Sequence, residues 1–148
     1  MKTYLPEHFF RAPAFEVEPP PGFDLDTGDW VVIASRPPAD WLASQLPRWG
    51  YSTEVVEDYS TIQVVVQDKP YRLSVHVSWE SDIDNESFFW ACASAQVPIV
   101  RQFFRKGEHV EPLRRLDEDL MACLRLSPGI TLLPEMPDQG IGPPDAAR

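Results

Sequence analysis

Apolar and polar side chains alternate strictly over residues 71–79 (YRLSVHVSW), which makes this stretch the clearest element of the chain. Because successive side chains of a strand point to opposite faces, the pattern predicts a strand with Val75 buried and His76 exposed. A sheet with one solvated face is typical of antiparallel α+β proteins. Shorter apolar patterns predict further strands at residues 30–34, 53–57 and 61–67.

Two segments carry apolar residues at the spacing of one helix face. The first, with Leu42, Leu46 and Trp49, follows the proline pair 37–38, so the predicted helix begins near Ser35. The second helix is predicted from the spacing of Val110, Leu113, Leu116, Leu120, Met121 and Leu124.

The region between these helices is less well determined. Residues 87–96 are apolar on both faces, which favours a central strand, although their alanines leave a helix open; residues 99–104 are ambiguous. Residues 130–133 predict an edge strand. The sequence therefore predicts an α+β fold: an antiparallel sheet of four to five strands with two main helices packed on one face.

Proline is the unusual feature of the composition, and it predicts the domain organisation. The 16 prolines of the 148 residues crowd the two ends of the chain. We therefore expect a proline-rich N-terminal arm at 1–21, a single α+β domain at 22–133 and a proline-rich C-terminal tail at 134–148.

The charge balance restricts the class of partner. Thirteen basic and 23 acidic residues give a formal net charge of −10. Such a chain lacks the cations that neutralise phosphates, which argues against nucleic acid and against an anionic membrane surface. The charge fits a cationic protein partner, or solubility alone. With no signal-peptide pattern and no apolar run of membrane-span length, the protein is predicted to be cytoplasmic.

No motif for catalysis or for cofactor binding is present. Cys92 and Cys123 belong to no CxxC or Cys/His pattern and are predicted to be buried free thiols. The chain has no nucleophile elbow, no phosphate-binding glycine loop and no histidine pair at metal-ligand spacing. We therefore predict no cofactor, no metal and no enzymatic activity; a small enzyme that uses His76, Asp58 and Arg72 stays open as an alternative.

An acidic turn followed by aromatic residues is the candidate binding site. Asp82, Asp84 and Glu86 resemble the first positions of a calcium loop, but the required glycine and the closing glutamate are absent. A solvent-exposed acidic turn, or a contact for Arg and Lys side chains of a partner, is therefore favoured. Phe88 and Trp90 follow directly. The aromatic runs 88–90 and 103–104 cannot all point inward along a regular strand. Either the helices and the N-terminal arm cover them, or they are exposed, and exposed aromatic residues are preferred anchors of protein interfaces.

At the level of architecture, the predicted order helix, four strands, helix over residues 37–126 resembles the type III secretion chaperone-like fold. It is also similar to small bacterial immunity proteins that neutralise a toxin. The resemblance implies a non-enzymatic protein-binding module whose partner is a cationic toxin or a secreted effector, and it assigns no site residue. A structural component of a bacterial secretion or phage system, and a homodimer, remain open.

Overall fold

A computed structural model, which describes residues 1–25, 27–58 and 61–139, has an α+β fold built on one sheet. Its strands are β1 (Lys2–Tyr4), β2 (His8–Arg11), β3 (Glu54–Glu57), β4 (Ile62–Gln67), β5 (Arg72–Ser81), β6 (Ser87–Gln96) and β7 (Thr131–Leu133). Its helices are α1 (Gly28–Gln45), α2 (Ile99–Phe104) and α3 (Val110–Leu126), with short 3-10 turns at Pro13–Phe15 and Leu46–Trp49.

Every strand pair is antiparallel, and the strand order is β3-β4-β5-β6-β2-β7. β1 also pairs with β6, so that β1 and β2 lie end to end along the same edge of that strand. The predicted α+β class and antiparallel sheet are confirmed, with seven strands instead of four to five. Residues 87–96, which the sequence left between strand and helix, form the long central strand β6.

The N-terminal segment supplies two of the additional strands. Residues 1–21 were predicted as an arm outside the domain, but β1 and β2 are integral strands and the side chain of Phe10 is fully buried. Proline misled the prediction, because Pro6 lies between β1 and β2 and Pro13 begins the 3-10 turn after β2, so neither residue interrupts a strand pairing. The first residues of the predicted tail also contact the domain, since the Ile83 N–H donates to the Asp138 carbonyl oxygen at 2.8 Å. Residues 140–148 of that tail lie outside the described residues.

The predicted strand at residues 30–34 is wrong, because these residues form the first half of α1. Thr27 caps the helix, and its hydroxyl oxygen accepts from the Trp30 N–H at 3.3 Å. The buried side chains Trp30, Ala34, Pro38 and Leu42 recur every four residues, which places them on one helix face. An apolar run as short as residues 30–34 fits either element by itself, and the cap together with the four-residue spacing decides for a helix.

The core lies between the two main helices and one face of the sheet. On that face Leu73, Val75 and Val77 lie directly opposite Ala95, Ala93 and Ala91, and all six side chains are buried. α1 contacts β3, β4 and β5, whereas α3 contacts β6. The predicted face assignment of β5 is therefore confirmed for Val75, which has no exposed surface.

Side-chain hydrogen bonds, among them the two described here, attach the helices to the sheet. His8 Nε2 of β2 lies 2.7 Å from Asp117 Oδ1 of α3. On α1, the buried Ser35 hydroxyl accepts from the Trp79 backbone N–H of β5 at 2.8 Å and donates to the Val31 carbonyl oxygen. These bonds hold α1 and α3 against one face of the sheet.

Candidate functional sites

Asp82 organises the β5–β6 turn from within. One of its carboxylate oxygens accepts from the backbone N–H groups of Asp84 and Glu86, both at 2.9 Å, and the other accepts from Arg11 Nη2 at 2.7 Å. The Glu86 N–H and, after it, the Arg11 guanidinium favour the carboxylate and lower the pKa of Asp82. Asp82, a candidate for contact with a partner, is therefore turned away from solvent and is only 8% exposed.

Asp84 and Glu86, by contrast, are exposed at the tip of the same turn and remain available to a partner. Asp82, Asp84 and Glu86 do not converge on one point, because Asp82 points back into the turn. Within residues 1–25, 27–58 and 61–139, no group of three or more His, Cys, Asp or Glu residues is placed to hold a metal ion.

The two aromatic candidates on β6 differ in exposure. Phe88 is fully buried, with its ring 6.3 Å from that of Phe9 on the neighbouring strand, so it is unavailable to a partner. Trp90 is half-buried on the face of the sheet opposite the helices. Its Nε1 donates to Glu80 Oε1 at 3.4 Å. Because the side chain is only half-buried, part of the indole ring is accessible.

A cavity of about 540 Å³ opens on this helix-free face of the sheet. We call it the sheet pocket. Its floor includes His76 and Cys92, which are direct cross-strand partners on β5 and β6. One side is the link between β1 and β2, and the other is the β3–β4 connection. The described lining residues are Lys2, Tyr4, Leu5, Pro6, Glu7, Asp58, Thr61, Gln63, His76, Trp90 and Cys92.

The groups on the pocket floor are neutral near pH 7. Burial, and to a smaller extent the charge of Lys2, lowers the pKa of His76, while Asp58 acts in the opposite direction. Burial also raises the pKa of the Cys92 thiol to about 11, and the negative charge of Glu7 adds to that shift. Cys92 is therefore a protonated thiol and a poor nucleophile.

His76 is less exposed than the sequence predicts, because Tyr4 of β1 lies against it. The two ring centroids are 5.4 Å apart in an edge-on arrangement. Of the three residues of the enzyme alternative, the fold brings His76 and Asp58 to the sheet pocket. Arg72 is not among the residues that line it and forms an ion pair with Asp68 instead, with Nη2 3.2 Å from Oδ1.

α2 presents a second candidate site, made entirely of apolar side chains. Ile99, Val100, Phe103 and Phe104 are 71%, 67%, 82% and 81% exposed. They form two pairs at i and i+4, so they make one continuous face. We call these four side chains the α2 patch.

An ordinary surface helix turns its apolar side toward the core, whereas α2 turns its apolar side toward solvent. Arg101 and Gln102 are the half-buried side chains of α2. The guanidinium of Arg101 donates to both carboxylate oxygens of Glu108, at 2.6 and 3.0 Å, which ties the polar side of the helix to the turn before α3. The sequence predicted neither the helix nor its orientation, although the pair Phe103-Phe104 indicated exposed aromatic residues.

Both cysteines are buried free thiols, as predicted. Of the helices in the described part of the chain, none has the length and apolar character needed to cross a membrane. The chain matches no protein-family model, no curated protein and no solved structure.

Proposed function

We propose that this protein is a non-enzymatic binding module that docks on a partner protein through the α2 patch. The observation that carries the proposal is the exposure of four large apolar side chains on one short, inverted helix. Contiguous exposed apolar surface is uncommon on a soluble domain and is typical of interaction sites. The chaperone-like or toxin-immunity type, which the predicted architecture resembles, is the kind of binding module that we propose.

The charges around the α2 patch define the partner surface. Residues 99–107 contain Arg101, Arg105 and Lys106 and no acidic residue, in a chain of net charge −10. Arg105 and Lys106 are exposed directly after the patch. Because complementary charges favour association, the surface that fits here is an apolar groove bordered by Asp or Glu side chains. The cationic partner expected from the net charge does not fit this contact area.

Two phenylalanines are the expected anchors. Burying a Phe side chain fully is worth about 1.5–3 kcal/mol, and both rings begin with most of their surface in water. Replacing Phe103 and Phe104 together by serine should therefore weaken binding by a factor of at least about 100. The fold should survive, since neither side chain belongs to the buried core.

The experiment identifies the partner by contact and then measures its affinity. A photo-crosslinking amino acid at position 104 is used to capture the partner in the native host. The captured protein is then purified and titrated against the wild type, the Phe103→Ser/Phe104→Ser variant and a matched control, Leu126→Ser. Leu126 is 74% exposed at the end of α3, outside the α2 patch, so its substitution should leave the affinity unchanged.

Charge complementarity is tested on the same complex. Arg105→Gln/Lys106→Gln should slow association at low salt and flatten its salt dependence, because screening acts over about 8–10 Å near physiological ionic strength. Equal affinity of the serine variant and the wild type would refute the proposal. So would self-association of the pure protein through Phe103, or binding of the patch to anionic lipid vesicles in place of a protein.

A further inference from the structure

Phe88 has no exposed surface, although it lies on the face of the sheet opposite the two main helices. Successive side chains of β6 alternate between the faces, so Phe88 points away from the core that contains Phe89. The ring of Phe9, 6.3 Å away on the neighbouring strand, flanks Phe88 from the side. Because flanking side chains leave the top of a sheet residue open, another part of the chain must lie over Phe88.

The segment that follows β7 supplies this cover. Residues 134–139, which we call the C-terminal strap, begin after Leu133 of β7 and end where Gln139 contacts Glu80 of β5. The strands β2 and β6 lie between β7 and β5, so the strap crosses three strand spacings, roughly 14 Å at about 4.8 Å each. Glu80 is directly opposite Phe88 and shares its face. The strap therefore crosses the sheet beside Phe88, on the face opposite the helices.

The end of the strap is held by hydrogen bonds that lie outside the strand pairings. The Gln139 side-chain amide donates to Glu80 Oε2 at 2.9 Å. The Ile83 N–H donates to the Asp138 carbonyl oxygen at 2.8 Å. Glu80 Oε1 accepts from Trp90 Nε1, so one carboxylate links the strap to the half-buried indole ring. The strap can thus leave the sheet without breaking a strand pairing.

An aromatic surface with an acidic border lies where the strap crosses. Phe88 and Trp90 share one face of β6, and Phe9 lies beside them on β2. We call these three side chains the aromatic face. Asp84 and Glu86 are exposed at the adjoining turn. Aromatic rings and carboxylates together attract cationic side chains, so the uncovered face fits a basic segment that also carries an apolar anchor.

We infer that the C-terminal strap is an autoinhibitory cover over the aromatic face, which is a second protein-binding surface. The partner that fits it is a peptide segment in which Arg or Lys side chains flank a large apolar side chain. That apolar side chain replaces the strap over Phe88. Glu80 meets the neutral donors Trp90 and Gln139, so its charge becomes available when the strap leaves. The net charge of −10 favours such a partner as well. This inference does not rest on the proposed function, because the aromatic face and the α2 patch share no residue.

Gln139→Ala tests the strap in the intact chain, since it removes the bond to Glu80 without changing the charge. Detachment is read from hydrogen exchange of the Ile83 amide, which the Asp138 carbonyl oxygen protects while the strap is in place. Exchange of this amide should become at least about fivefold faster, the effect of losing one hydrogen bond of ordinary strength.

Two controls separate detachment of the strap from a general loosening of the fold. The Asn85 amide bonds within the same turn and should keep its exchange rate in Gln139→Ala. Gln96→Ala shortens an exposed glutamine at the far end of β6 and should leave exchange of the Ile83 amide unchanged.

The aromatic face is tested with a capped tripeptide that has phenylalanine between two arginines. Binding is followed through the indole N–H signal of Trp90 in nitrogen-15 NMR spectra, assigned by its disappearance in Trp90→Phe. The peptide should bind Gln139→Ala more tightly than the wild type by the same factor that Ile83 exchange gains, because apparent affinity rises with the fraction of open molecules. A peptide with glutamate in place of both arginines should bind at least about tenfold more weakly.

The peptide and the strap should exclude each other, so the arginine peptide should also speed exchange of the Ile83 amide in the wild type. Unchanged Ile83 exchange in Gln139→Ala, or an Ile83 amide that exchanges freely in the wild type already, would overturn the inference. Equal affinity of the arginine peptide for Gln139→Ala and the wild type, or equal binding of the two peptides, would overturn it as well.

Discussion

Ser35→Ala should destabilise the protein far more than the loss of one hydroxyl on a helix normally does. The hydroxyl oxygen of Ser35 accepts the Trp79 backbone N–H at 2.8 Å and has no exposed surface. Alanine cannot accept, and leaving a buried donor without its partner costs about 1–3 kcal/mol. The better helix propensity of alanine returns only about 0.5 kcal/mol, so the net loss is about 0.5–2.5 kcal/mol.

The measurement is urea unfolding followed by circular dichroism, with Ser44→Ala as the matched control on the same helix. Ser44 is exposed, and its hydroxyl donates to the Trp41 carbonyl oxygen at 2.6 Å, a bond whose loss leaves no buried donor unpaired. Its substitution should change the free energy of unfolding by less than about 0.5 kcal/mol. If Ser35→Ala and Ser44→Ala were equally stable, the bond between α1 and β5 would contribute nothing, and the reasoning would be refuted.

Three further predictions concern the turn, the sheet and the thiols. Asp82→Ala should lower the melting temperature clearly and Asp84→Ala should not. Because folding lowers the pKa of Asp82, its contribution to the free energy of unfolding should be complete above about pH 4 and disappear as the pH falls further. An equal change of melting temperature in Asp82→Ala and Asp84→Ala would contradict the role assigned to Asp82. Val75→Asp should prevent folding, as judged by circular dichroism, whereas His76→Ala should remain folded; a folded Val75→Asp would exclude the assigned sheet faces. Finally, both thiols should react with Ellman's reagent only under denaturing conditions, and fast reaction of the native protein would contradict their burial.

The sequence predicts the parts of the fold whose pattern is set by local geometry. β5 was found from its alternation, because its apolar side chains meet the hydrophobic core, although Ser74 and Ser78 on the other face are buried too. α3 was found from its helical spacing for the same reason. α1 was only half found, because Trp30 and Ala34 belong to a four-residue repeat that continues through a proline.

The candidate sites were harder to predict, because they depend on contacts between distant parts of the chain. Asp82 looks like its acidic neighbours until Arg11, 71 positions earlier, is brought against it. The sheet pocket exists only because the first residues of the chain lie beside β6, which no local pattern indicates. The outward orientation of Phe103 follows from the pairing of Arg101 with Glu108, a tertiary contact that periodicity cannot reveal.

The pairing of β1 and β2 with β6 has a consequence for the order in which the chain folds during synthesis. His8 leaves the ribosome 83 residues before its partner Ala91, an interval of roughly 4–17 s at 5–20 residues per second. During that time the apolar side chain of Phe10 has no strand beside it and must stay in water or bind elsewhere. The segment from α1 to β5 can form its own contacts first, so β1 and β2 are among the last strands to pair.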